Sequence, residues 1–170
     1  MERKVPVSEK EQNDLPPCLI YIDKEGKWYH KGVEMIRRDF IRLFFENMKM
    51  DARGRYVIHW GGKDCYVDVA DTAYVVRNVD YRDAAGDAGE RVMLLLSDDS
   101  EEDLIPETLR VGKDHVLYCR VKQGKFPARF SRAAYYRLAT LIREEAGGFY
   151  LPLNGKQYRI THSPGHEPGP

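Results

Sequence analysis

Apolar and polar residues alternate in short runs along most of the chain, and in only two stretches does the spacing become helical. Leu19 to Asp23 and Lys27 to His30 alternate with period two and flank Lys24-Glu25-Gly26, where glycine supplies the positive φ of a tight hairpin. From Asp39, the expected N-cap, Ile41, Phe44, Phe45 and Met48 recur at intervals of three and four. They predict a helix over 39–50, with Arg42 and Glu46 outward as an i,i+4 pair. A second hairpin is predicted from Arg55 to Trp60 and from Asp64 to Val69, around Gly61-Gly62.

The same order then recurs. Leu117 to Val121 and Lys125 to Phe130 flank Gln123-Gly124. Ser131 is expected to cap a helix over 131–145 whose stripe is Tyr135, Leu138, Ala139 and Ile142, and Phe149 to Leu153 and Lys156 to Ile160 flank Asn154-Gly155. Lys24 aligns with Lys122, Trp28 with Phe126, Arg42-Leu43 with Arg137-Leu138, and Gly62-Lys63 with Gly155-Lys156, the offset drifting from about 98 to about 93 residues. The expected fold is α+β, built from two diverged repeats of a β-hairpin–helix–β-hairpin unit. One sheet and one helix bury too little alone, so the copies should pack together. The expected boundaries are 18–80 and 81–162, with a charged, proline-containing arm over 1–17 and a Pro/Gly-rich tail over 163–170, both read as flexible. Between the units run strand-like Ala73 to Asn78, a glycine-rich turn over 84–89, strand-like Val92 to Leu96 and an acidic run from Ser97 to Asp103.

Composition narrows the function classes. Of 170 residues 42% are hydrophobic, enough for one ordinary core, and 27 basic side chains balance 27 acidic ones, so no global field draws the protein to nucleic acid or an anionic membrane. Apolar runs such as Val92 to Leu96 are too short to cross a bilayer and the start is polar, so the expected location is the cytoplasm, with no membrane partner. Cys18, Cys65 and Cys119 form no C-x-x-C pair and are read as buried free thiols.

Behind the neutral total, the second unit is basic. Arg110, Lys113, Arg120, Lys122, Lys125, Arg129, Arg132, Arg137 and Arg143 meet only Asp114 as an acid before Glu144. Arg129 and Arg132 bracket Ser131, and Arg37 and Arg38 precede Asp39, so both helix starts, which already favour anions, carry arginines. With Trp28, Tyr29 and Tyr135 interleaved, these residues form the candidate ligand site: cations for a phosphate, rings for a base. The competing reading pairs the arginines with the acidic loop and places the rings in the core. His59 and Cys65 were weighed as a thiol–imidazole pair across the Gly61-Gly62 hairpin, but nothing orients the imidazole. No phosphate loop, dinucleotide fingerprint or nucleophile elbow is present, and the acidic run lacks the spaced ligands of a calcium loop. No catalytic residue, metal ligand or cofactor is expected.

Gly26-Lys27-Trp28-Tyr29-His30-Lys31-Gly32, the following Ile36-Arg37 and Arg42-Leu43-Phe44 resemble the bacterial family known as domain of unknown function 1285, as does Ala128-Arg129-Phe130-Ser131-Arg132 with Tyr135 to Leu138. The resemblance covers Leu19 to Leu153. It implies a duplicated α+β core, a C-terminal half superficially like a pleckstrin-homology fold, a family without an established enzymatic activity, a suggested signalling role and a groove between the units for a nucleic-acid-derived ligand. The expected function is therefore a non-catalytic binding or signalling module for an anionic, nucleotide-like ligand at the unit interface. The alternative is a protein-interaction scaffold or homodimer without a small-molecule ligand, and an enzyme comes third.

Overall fold

The computed structural model describes residues 15–163 apart from 85, 87 and 88. Most of the expected arm and tail lies outside these residues. Within the arm, order begins earlier than expected: Pro17 opens the first strand, and the Pro16 carbonyl accepts the Tyr66 N–H at 3.0 Å. Proline is tolerated at a strand's first position, where its missing N–H costs no ladder bond.

The first unit contains β1 (Pro17–Ile22), β2 (Trp28–His30), β3 (Val33–Glu34), α1 (Arg38–Glu46), β4 (Met48–Met50), β5 (Tyr56–Trp60) and β6 (Lys63–Val69). Its sheet has the order β3-β2-β1-β6-β5-β4, closed by parallel pairing of β1 with β6. Alternation turns Ile20 and Ile22 inward from β1. Helix α1 buries Ile41 and Phe45, with Phe44 half-buried. It is shorter than expected and its N-cap is Arg37, not Asp39. At its end the Asn47 side chain donates to the Leu43 carbonyl at 2.8 Å, competing with the helical ladder, and Met48 pairs with Ile58 across β4 and β5.

The second unit opens with the long hairpin of β7 (Tyr74–Ala84) and β8 (Gly89–Leu96), so β7 runs across the boundary expected near residue 80. There follow β9 (Glu101–Asp103), β10 (Arg110–Val111), β11 (Leu117–Val121), β12 (Phe126–Phe130), α2 (Arg132–Ala139), β13 (Arg143–Glu145), β14 (Gly148–Leu153), β15 (Lys156–Arg159) and β16 (Thr161–His162). One sheet has the order β16-β10-β11-β12-β7-β8-β9, and β13-β14-β15 form a separate sheet. Ser131 caps α2 as expected, its hydroxyl accepting the Ala134 N–H at 3.1 Å. The helix stops at Ala139 because 143–145 pairs with β14 instead of continuing the coil. Its inner face is Ala134 and Leu138, while Tyr135 points outward.

In each half a hairpin and a helix are followed by three antiparallel strands, but the pairing differs, so the sheets do not repeat as two equivalent hairpin–helix–hairpin units would. In the first unit β6 returns to β1 and closes one sheet. In the second, β16 returns to β10, and the meander stands apart. Asn154 ties this third sheet to the second: its Oδ1 accepts the Glu90 N–H at 2.6 Å and its Nδ2 donates to the Glu90 carbonyl at 2.8 Å.

The two units share one core. Phe45 lies 4.7 Å from Tyr74 and Tyr74 5.0 Å from Phe126, ring centre to ring centre, so aromatic rings run from α1 through β7 to β12. Close approach is also built into the β1–β2 turn, where Gly26 has φ +81° and an added Cβ would sit 3.0 Å from Val75 Cγ2 on β7. Among the described residues no helix is long and apolar enough to cross a membrane.

Candidate functional site

The expected ligand residues are dispersed by the fold. Trp28 is 1% exposed, stacked on Phe44 and met edge-on by Phe45, so it is a core residue with no face for a base. Tyr29 is half-buried and donates its hydroxyl to Asp23 Oδ2 at 3.2 Å. Arg129 does not await an anion: its Nη1 lies 2.8 Å from Asp71 Oδ2, with side chains 19% and 15% exposed, and the Tyr118 hydroxyl donates to the same oxygen. Arg37 folds back on its neighbour Asp39 at 2.7 Å and over the Phe40 ring. Its guanidinium, by hydrogen bonding, holds the Asp39 carboxyl below the ordinary carboxylate range. Tyr135 and Arg132 are exposed on α2, Tyr135 edge-on to Tyr136.

Arg38 is the predicted residue that reaches the junction of the units. Its Nη2 donates to the Ser97 carbonyl at 2.7 Å and lies 2.9 Å from Asp99 Oδ2. Asp99 also meets Arg77 of β7 at 3.4 Å and Arg42 at 4.0 Å, so Arg42 turns toward the acidic loop rather than toward Glu46. The adjacent Asp98 serves different partners: Lys122 Nζ at 2.7 Å and the Ser100 hydroxyl at 2.6 Å. Burial pushes the Asp98 carboxyl up, but the bonds from Lys122 and Ser100 outweigh it and hold the group below its usual value. Lys122 also lies 3.9 Å from Glu102 and over the Tyr74 ring.

Asp98, Glu102 and Lys122, but not Asp99 and its arginines, line a cleft of about 750 Å³ where the units meet. Phe45, Met48 and Met50 line it from the first unit, and Tyr74 and Phe126 from the second. Its polar lining is Glu46, Lys49, Asp98, Glu102, Lys122, Gln123 and Lys125. Lys125 is exposed, whereas Lys49 is held at 2.8 Å by Asp64. Burial, then the charges of Asp98 and Glu102, keep Tyr74 protonated well above the ordinary phenol range. The cleft escaped the sequence because its lining comes from a helix end, a short strand and a turn that lie far apart in the chain. The one available signal was the local excess of base around Lys122 and Lys125.

The reading of Cys18 and Cys65 as free thiols is overturned. Cys18 and Cys65 form a disulfide between β1 and β6, with Cα atoms 5.0 Å apart, so they are not free thiols. The parallel return of β6 beside β1, invisible in the sequence, brings them together. Cys65 pairs in register with Ile58, not with His59, which removes the thiol–imidazole arrangement. His59 Nδ1 lies instead 2.6 Å from Asp64 Oδ1. Cys119 remains a free thiol, buried, its pKa pushed up to about 12 mainly by that burial. Among the described residues no group of three His, Cys, Asp or Glu side chains is arranged to hold a metal.

The fold, mixed sheets with two short helices on one core, is shared by solved structures. A DUF1285 family protein from Silicibacter pomeroyi DSS-3 matches it with a TM-score of 0.70 at 20% identity, over 94% of this chain and 90% of that one. A DUF1285 family protein from Shewanella baltica OS155 matches with a TM-score of 0.58 at 18% identity, over 72% of this chain and 91% of that one. The chain therefore has the fold of the family that its motifs resemble. No family model matches the sequence, and neither does any curated protein.

Proposed function

We propose that the protein is a non-catalytic binding module and that an anionic, nucleotide-like ligand occupies the cleft between its units. The observation that carries this reading is the cleft itself, whose volume of about 750 Å³ suits a nucleotide and whose lining joins an apolar floor to charged walls. Met50 supplies apolar surface for a base, with the buried rings of Phe45 and Phe126 forming the floor behind it. Asp98 and Glu102 offer acceptors for base amino groups, and Lys125 at the rim offers a cation for phosphate. Membership of the DUF1285 family and a role in signalling belong to the same proposal.

A thermal-shift screen against nucleotides tests it, since a ligand at 100 times its dissociation constant adds about 2.7 kcal/mol. Titration of the best ligand against Lys125→Glu should show a loss of at least about tenfold. Absence of a shift with every nucleotide would leave the second reading, a homodimer or protein-binding scaffold. Val33 on the short edge strand β3 and Ile36 just after it, 71% and 80% exposed, favour that reading. Sedimentation of the chain alone tests it.

A further inference from the structure

We propose that Arg38, Arg42 and Arg77 form a binding site for a phosphate-bearing anion, with Asp99 holding the place that the anion takes. Three guanidiniums face this one carboxylate, at 2.9, 4.0 and 3.4 Å. Three positive charges against one negative leave an excess of two. Two carboxylate oxygens cannot match three guanidinium forks, each with five donors: Arg77 reaches Asp99 only at 3.4 Å, and Arg42, 4.0 Å away, gives its Nε to the Arg38 carbonyl at 3.4 Å. A phosphate group presents three acceptor oxygens and up to two charges in a compact tetrahedron, which suits the forks better.

The placement is costly without such a ligand. Arg38 and Arg42 stand one turn apart on α1, a like-charged i,i+4 pair that is unfavourable by itself. Arg77 comes from β7 of the other unit, and burial, then the Arg38 charge, pull its guanidinium below its ordinary value. An anion among the three would relieve both. The site is also rigidly framed: Arg38 is anchored on the Ser97 carbonyl, and the Ser131 hydroxyl at the start of α2 donates to the Arg77 carbonyl at 3.3 Å. All three arginines remain between about one third and one half exposed, so an anion can reach them. The site is separate from the cleft, because Asp98 turns to Lys122 and Asp99 to the arginines, and it does not rest on the cleft reading.

Titration of the full chain with inorganic pyrophosphate by calorimetry, at low ionic strength, tests the proposal. Arg42→Ala, at a half-exposed position, and Arg77→Ala should each weaken binding about tenfold. Asp99→Asn should tighten it, an outcome that a purely structural role for Asp99 would not produce. Lys125→Glu in the cleft should leave it unchanged. No binding to the wild type, equal binding by Arg42→Ala, weaker binding by Asp99→Asn, or loss with Lys125→Glu would each overturn the site.

Discussion

Arg129→Ala would remove a guanidinium from a pair that is largely shielded from water. Arg129 and Asp71 are 2.8 Å apart, with side chains 19% and 15% exposed. Breaking a fully buried pair costs about 3–5 kcal/mol, because the remaining charge is left uncompensated. Here Asp71 keeps the Tyr118 hydroxyl at 2.8 Å, and some water reaches it, so about 2–3 kcal/mol is expected. For a chain of this length that lowers Tm by about 4–12 °C. The control is Arg37→Ala, whose pair with Asp39 is 67% and 58% exposed and should contribute far less, because water screens it. Urea unfolding followed by tryptophan fluorescence measures both, since Trp28 lies in the shared core. The double mutant Arg129→Ala/Asp71→Ala isolates the coupling, expected at about 1–3 kcal/mol. If Arg129→Ala cost no more than Arg37→Ala, the reasoning from burial would be refuted.

Leu138→Ala, at a fully buried position on α2, should cost about 2–5 kcal/mol in the same assay, and a loss below about 1 kcal/mol would mean that its side chain does not pack into the core. Thiol labelling of the native protein should modify no cysteine, of the denatured protein Cys119 alone, and of the denatured and reduced protein all three; a second reactive thiol before reduction would contradict the Cys18–Cys65 bond. The depressed Asp98 carboxyl contributes stability that is present above its unfolded value, near 3.8, and is lost as pH falls through its lower folded value. Asp98→Asn should therefore flatten the acid limb of the stability curve, and an unchanged limb would show that Lys122 does not hold Asp98 charged.

Local patterning was legible where local rules decide structure. The glycine turns at Gly26, Gly124 and Gly155, the stripe of Ile41 and Phe45, and the Ser131 cap all follow from spacing and backbone conformation. What failed were features set by distant pairing. Both helices end early because Met48 and Arg143 find strand partners, a competition that helical periodicity cannot register. The fates of Trp28 and Arg129 were equally hidden. A tryptophan two residues past a turn reads the same whether its face meets solvent or Phe44, and Arg129's partner, Asp71, lies 58 residues away. Of the candidate ligand residues, Arg38 alone was placed where the units meet, because the arginine-flanked helix start is local while the acceptor, Asp99, is not.

The bare backbone at Gly26 works as a spacer of fixed thickness. With Val75 Cγ2 already at 3.0 Å from where a first side-chain carbon would stand, even alanine there would act as a shim, driven between the hairpin and β7 and strained at φ +81°. The tolerance of the joint is therefore smaller than one methyl group, and the gap between the units is machined by the absence of a side chain rather than by the fit of one.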